Sequence, residues 1–204
     1  MKERGMIFNG EMVRAIIDGR KTQTRRPIKW KQTRFTEVAE RDDGSLWPWA
    51  EDCERGGDIW FACPYGEIGD RIWVRETFRV HSRATDVATL VYRASVRNSW
   101  TEQTHRVPVA VCNKPATPEK WTPSIHMPRW ASRILLEIID VRVERLNSIT
   151  ESDAEAEGVT DTGFGDLLVD GFRYLWKSIY GDDSWQANPW VWVIEFKRVE
   201  GGAA

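Results

Sequence analysis

The sequence predicts an α+β fold: a small, mostly antiparallel, barrel-like sheet with flanking helices and two long insertions. Three observations carry that expectation. Between Ile134 and Leu146, the apolar Ile139, Val141 and Val143 alternate with Asp140, Arg142 and Glu144, which is the period of a half-buried strand. Trp190 to Lys197 is an apolar run of strand length near the end of the chain. Helical periodicity is confined to short segments, so the order is helix, strands, long strand, helices, strand. A chain of 204 residues can bury one sizeable core plus a large excursion, and it reads as a single domain over 1–204.

The first element is a helix of roughly residues 10–18. Met12 and Ile16, then Val13 and Ile17, recur four apart, and Asn9 is its N-cap. Phe8 and Val13 occupy the two positions of a hydrophobic staple, and Gly19 supplies the left-handed residue that ends the helix. The polar run from Lys21 to Arg26 stops at Pro27, which has no N–H to give a central strand. Residues 28–68 carry no clear period. Trp47-Pro48-Trp49, Gly56-Gly57 and Cys63-Pro64-Tyr65-Gly66 mark them as a long insertion with short strands. Gly69-Asp70 turns the chain into a strand from Arg71 to Phe78, and a short strand follows near Thr89 to Ala94. Residues 95–130, rich in Pro, Thr and Trp, form the second insertion. After the long strand, Thr150-Glu151-Ser152-Asp153 resembles a capping box opening a short helix that ends at Gly158. Leu168, Phe172, Leu175 and Ile179 define an amphipathic helix closed by Gly181.

Composition is that of a globular protein, 41% hydrophobic and 29% charged, and a formal net charge of −2 excludes a globally basic nucleic-acid binder. The distribution of charge says more. Arg20, Lys21, Arg25, Arg26, Lys29, Lys31 and Arg34 crowd residues 19–35 with no acid among them. Glu151, Asp153, Glu155, Glu157, Asp161, Asp166 and Asp170 crowd residues 151–170 with no base. Such asymmetry means either an anion-binding face or two segments that attract each other in the fold.

Cys53, Cys63 and Cys112 lack paired spacing, and His81, His105 and His126 add no metal-ligand pattern. No disulfide framework, metal site or cofactor is expected. With no apolar leader and no run of membrane-spanning length, the expected location is a reducing cytoplasm with no membrane partner. Twelve tryptophans exceed normal usage. Most are expected to anchor the core or the loops, and a few to stack on a nucleobase.

Gly19-Arg20-Lys21-Thr22-Gln23-Thr24 after a short helix is the most informative segment. A lysine and a hydroxyl three residues apart, framed by arginines, suit a site that holds an anionic or carbonyl-bearing ligand. With Gly69-Asp70 opening a strand, Thr150-Glu151…Glu155-Ala156-Glu157 in a short helix, and Ile179-Tyr180-Gly181 leading to Val193-Ile194-Glu195-Phe196-Lys197, it resembles the ASCH family. The likeness runs in order to about residue 199, interrupted by the two insertions. It implies a PUA-like β-barrel fold. Small bacterial members include an amidohydrolase that removes acyl groups from N(4)-acetylcytidine. The larger form, with Trp73-Val74-Arg75-Glu76-Thr77 and His126-Met127-Pro128-Arg129-Trp130, looks like ASCH proteins commonly encoded by phages and prophages. The family's amidohydrolase uses a lysine, a threonine three residues on and a distant glutamate. The matching residues here are Lys21, Thr24 and Glu157.

Amide hydrolysis needs a nucleophile, a base to activate it and an acid for the leaving amine. With the matched residues, Thr24 would be the nucleophile, Lys21 the base, and Glu157 either the acid for the departing amine or the group that orients water for deacylation. Burial and neighbouring arginines would both lower the lysine pKa. Because alternate strand residues face opposite ways, Lys21 and Thr24 share a face only if the link between them bends. Taken singly, Lys21 reads as a surface lysine beyond a helix C-terminus, Thr24 as a strand residue and Glu157 as one acid of a solvated stretch.

A binding module for RNA or a modified base is the second expectation. Arg25, Arg26, Lys29, Lys31 and Arg34 would track phosphates, with stacking from Trp73 or Trp130 beside Arg75, His126 and Arg129. A ribonuclease using Lys21 and Glu157 as base and acid is the third. The partner expected is a modified nucleoside or RNA.

Overall fold

The structure is a computed structural model, and it describes residues 1–30, 37–52, 54, 56–160 and 167–199. In chain order, the described residues first form β1 (Glu3–Ile7), α1 (Gly10–Ile17), β2 (Gln23–Pro27), β3 (Glu37–Glu40), β4 (Leu46–Glu51) and β5 (Asp58–Trp60). They continue with β6 (Arg71–Arg75), β7 (Phe78–Arg83), β8 (Val87–Tyr92), α2 (Trp100–Gln103) and β9 (Thr104–Pro108). The last elements are β10 (Leu135–Arg145), α3 (Glu151–Ala156), α4 (Leu168–Tyr180) and β11 (Trp190–Arg198). The class is α+β, as expected. The strands form open sheets, with no closed barrel among the described residues.

The chain divides into two compact units. One comprises Met1–Gly19, Asp70–Glu137 and the chain from Arg198; the other comprises Arg20–Gly69 and Ile138–Lys197.

In the first unit, β1 pairs in parallel with β6, Glu3 opposite Arg71 through Ile7 opposite Arg75. The start of β10 pairs antiparallel with β6, Leu135 opposite Trp73. Strand β1 has no counterpart in the sequence reading, because five residues with a central glycine show no alternation. Gly5 is what allows the pairing: a Cβ there would lie 2.5 Å from Cζ2 of Trp73. Helix α1 starts where expected. The Asn9 side chain accepts from the Met12 N–H at 2.8 Å, and Phe8 and Val13 are both buried. Gly19 takes φ +77° beyond its end.

The strand expected from Arg71 to Phe78 is interrupted at Glu76-Thr77, after which β7, β8 and β9 make an antiparallel meander. Phe78, Val80, Leu90, Tyr92, Val107, Met127 and Ala131 form its core, each large side chain contributing about 1.5–3 kcal/mol by leaving water. Beside it Glu76, 2% exposed, is held by Arg133 Nε at 2.9 Å and Nη2 at 3.1 Å. Burial raises the Glu76 carboxyl pKa, against the hydrogen bonds and charge of Arg133.

In the second unit, β11 lies between β10 and β2, with Val191 opposite Pro27 and Glu195 opposite Gln23. Helix α3 is opened by the expected capping box: Thr150 accepts from the Asp153 N–H, and the Asp153 side chain accepts from the Thr150 N–H. In α4 the buried residues are Phe172 and Trp176, while Ile179 is 44% exposed. The inward stripe therefore runs Leu168, Phe172, Trp176, Tyr180 at a spacing of four, and Trp176 takes the place given to Leu175. Leu146, Ile149, Ala154, Val191 and Val193 complete this core.

The insertion at 28–68 contributes the three-stranded sheet β3-β4-β5. Its Trp47 ring meets Trp192 at 5.3 Å, and the Arg41 guanidinium lies over Trp47 at 4.2 Å and Trp60 at 5.1 Å. Lys31, Arg34, Cys53, Asp161 and Asp166 lie outside the described residues. No helix among the described residues is long and apolar enough to cross a membrane.

Candidate functional site

After Gly19 the chain enters the second unit and runs beside the C-terminal end of α3. The Thr22 N–H donates to the Ala156 carbonyl at 2.8 Å, and Lys21 forms an isolated antiparallel bridge with Glu157. Glu157 is the C-cap of α3, followed by Gly158 at φ +84°. This turn places Lys21 Nζ 2.7 Å from Glu157 Oε2 and 2.8 Å from the Glu157 carbonyl. Both residues are 2% exposed. Neither is the solvated side chain that its local sequence suggests.

Burial lowers the Lys21 pKa below its ordinary value, against the charge and hydrogen bond of Glu157, and Arg26 and Arg25 lower it further. The ammonium form is thus destabilised in place, which is what a lysine acting as a base requires.

Arg25 sits four residues along from Lys21 and reaches the same Glu157, its side chain fully enclosed. Its Nη2 meets Glu144 at 3.1 Å and Asp153 at 3.2 Å, and its Nη1 meets Glu157 at 3.4 Å. Arg142 extends the network, with Nε 2.6 Å from Glu144, Nη1 3.0 Å from Asp140, and Nη2 3.0 Å from the Gln23 carboxamide oxygen. It also pairs with Glu195. At Asp153 burial pushes the carboxyl up, but the Thr150 backbone and hydroxyl, Arg25 and Gln23 outweigh it and hold the pKa at about 2.

Strand alternation divides the site. Gln23, Arg25, Val193 and Glu195 point to the side of α3 and α4, where their partners lie. Thr24 and Arg26, with their register partners Ile194 and Trp192, point to the other side. Thr24 is buried, and no hydrogen bond joins it to Lys21 or Glu157 among the described residues.

On the Thr24 side lies a cavity of about 370 Å³ with an aromatic lining: Trp192, Tyr65, Phe61 and Trp30, with Lys29 at its margin. Burial raises the Tyr65 pKa, against the charge of Arg26. Neither Lys21, Thr24 nor Glu157 lines this cavity. Its size and lining suit a small, flat, apolar-faced ligand.

The remaining residues singled out in the sequence belong to the first unit and make their contacts there. The Arg75 guanidinium lies over the Trp73 ring at 5.4 Å and donates to the Ile125 carbonyl. Arg129 Nε donates to Glu3 at 2.8 Å, and Trp130 packs edge-on against Phe78 at 6.3 Å. His126 is exposed. Cys63 and Cys112 are buried and form no disulfide, and no cluster of three or more His, Cys, Asp or Glu side chains suited to a metal occurs among the described residues.

Several residues escaped the sequence reading. Arg142 and Glu144 looked like the wet face of β10, and only their pairing with Gln23 and Arg25 makes that face a polar interior. Tyr65, Phe61 and Trp30 come from an insertion with no period to read. The aromatic run Trp190-Val191-Trp192 was the one available signal.

The fold and site define an α+β chain built round a buried network of cations and carboxylates next to an aromatic cavity. No protein-family model, curated protein or solved structure matches the chain.

Proposed function

We propose that this chain is an ASCH-type domain of PUA-like fold that hydrolyses the acyl amide of an N(4)-acylated cytosine nucleoside. One observation carries the reading: Lys21 Nζ and Glu157 Oε2, 136 residues apart in sequence, meet at 2.7 Å in a fully buried position. Stability alone does not account for that choice, because a buried ion pair is often matched or exceeded by apolar side chains of similar volume. Burial that lowers the lysine pKa supports its role as a base.

In this reading the base lies against Trp192 and Tyr65, with Arg26 and Lys29 near its sugar or phosphate. The Thr24 hydroxyl attacks the acyl carbonyl and gives its proton to the neutral Lys21 amine. The new ester C–O bond forms as the amide C–N bond breaks, and the proton taken up by Lys21 passes through Glu157, 2.7 Å away, to the departing cytosine amine. Water then cleaves the ester and restores Thr24. Thr24 shares its sheet face with Arg26 and Trp192, which supports a place on the side of the cavity. Lys21 shares Glu157 with Arg25 on the opposite side, so the proton transfer requires Thr24 to turn toward the amine.

The experiment is release of free acid and cytidine from N(4)-acylcytidines of increasing acyl size. Lys21→Met is expected to lower kcat by roughly 10²–10⁴-fold, the range of one acid–base group, and Thr24→Val, which removes the nucleophile, by at least as much. Trp192→Ala is expected to act mainly on KM. An inert wild type across the whole acyl series would overturn the hydrolase.

One observation favours a second reading, a binding module for RNA or a modified base: the aromatic cavity is open while Lys21, Thr24 and Glu157 do not line it. That reading expects nucleoside affinity that depends on Trp192 with no turnover.

A further inference from the structure

The first unit holds a second and larger cavity, of about 840 Å³, with a different chemical character. It is bounded by the first turn of α1, the Glu76-Thr77 break between β6 and β7, the Arg93–Arg97 turn after β8, and Trp121 with Ser124. Of its charged lining groups, Glu11 is paired with Arg14, and Glu76 with Arg133 at 2.9 Å. Arg93 and Arg97 remain. Both are exposed at the cavity, and neither makes an ion pair or side-chain hydrogen bond among the described residues.

Two guanidinium groups four residues apart, facing one cavity and paired with neither of its acids, favour an anion between them. Asn9 caps only the Met12 N–H, so Gly10 and Glu11, which also line the cavity, present first-turn N–H groups of the same polarity. Thr77 and Ser124 line it too. Trp121 also lines the cavity and supplies its flat aromatic surface, with the Arg79 guanidinium 4.6 Å from the ring centroid.

We propose that this cavity binds a phosphate monoester of mononucleotide size, its phosphate between Arg93 and Arg97 and its flat group on the wall formed by Trp121. Arginine forks match phosphate oxygens two at a time. The volume is far larger than inorganic phosphate needs and falls within the range of small-molecule sites. The site is independent of Lys21, Glu157 and the aromatic cavity, all of which lie in the other unit.

The test is calorimetric titration of the full chain with the four common nucleoside 5′-monophosphates, their parent nucleosides and inorganic phosphate. At least one monophosphate is expected to bind about tenfold or more tightly than its nucleoside, with inorganic phosphate competing weakly. Arg93→Gln/Arg97→Gln is expected to abolish that margin. Both side chains are exposed, so the fold, checked by circular dichroism, is expected to be intact. Trp121→Ala is expected to weaken nucleotide and leave phosphate unchanged, and Trp192→Ala to leave the margin untouched. The proposal is overturned if nucleoside and nucleotide bind equally, if no monophosphate binds, if the double variant retains the margin, or if Trp192→Ala removes it.

Discussion

Glu157→Gln isolates the consequence of burying Lys21. The substitution keeps the shape of the side chain and removes the charge 2.7 Å from Lys21 Nζ. Arg25 is little affected, since it keeps Glu144 at 3.1 Å and Asp153 at 3.2 Å. Lys21 is left with the Glu157 backbone carbonyl at 2.8 Å as its main partner. Removing one member of a buried pair costs about 3–5 kcal/mol, because the other charge stays desolvated.

The loss should also depend on pH. Burial already holds the Lys21 pKa below its ordinary value, and Glu157 is the influence that raises it. Without Glu157 the depression deepens. Between the folded and unfolded pKa values the unfolded chain binds more protons, so stability rises with pH, by at most about 1.4 kcal/mol per pH unit for one proton. Urea unfolding of Glu157→Gln at a series of pH values from neutral to mildly alkaline should show that rise. Lys21→Met/Glu157→Gln, which has no amine to titrate, should lack it. A single variant within about 1 kcal/mol of wild type, with a pH profile parallel to the double variant, would refute the claim that Lys21 occupies a dry site.

Three further outcomes follow from the same physics. Asp153 has its carboxyl held at about 2, so Asp153→Asn should cost about 1 kcal/mol at neutral pH after solvent screening of this partly exposed group. A depressed carboxyl stabilises above its ordinary value and loses that contribution as pH falls, so the difference from wild type should vanish between about pH 4 and 2 in acid titrations followed by circular dichroism. Gly5→Ala places a Cβ 2.5 Å from the Trp73 ring, and thermal unfolding should show a loss of about 1–3 kcal/mol from overpacking. Arg133→Met strands the buried Glu76, and should cost roughly 3–5 kcal/mol by denaturant unfolding, most of which Arg133→Met/Glu76→Gln restores.

Elements whose signals are local were legible in the sequence. The Asn9 cap, the Thr150–Asp153 box, and Gly19 and Gly181 at helix ends each depend on neighbours within a few residues, and each is in place. Strands β1 and β9 were not legible. Their existence depends on partners far along the chain, β6 for one and β8 for the other, and neither carries an alternation of its own. The same logic governs the site. Lys21 and Glu157 were named from a sequence resemblance, while local context described both as solvated. Contacts across 136 residues reversed that description. Arg142 and Glu144 obey strand alternation, but alternation cannot tell a wet face from a polar interior. In α4 the period was right and the phase was off, because Trp176 competes with Leu175 for the inward stripe.

The two charged segments answer a question that the sequence left open. Lys21 and Arg25 from the basic run meet Glu157 and Asp153 from the acidic one, so mutual attraction accounts for those two cations. Arg25 is therefore not available to track phosphates, and among the described residues of that run Arg26 and Lys29 are the cations beside the aromatic cavity. This limits how strongly salt can act on any single-stranded RNA held there. Each phosphate neutralised contributes a slope of about −0.7 in log affinity against log salt, so two cations give roughly −1.4. Arg26→Gln should reduce the slope by about half, and Arg25→Gln should destabilise the fold without changing it. A measured slope several times steeper would place the RNA on a different surface of the molecule, with the cavity beside Trp192 reserved for a lone base.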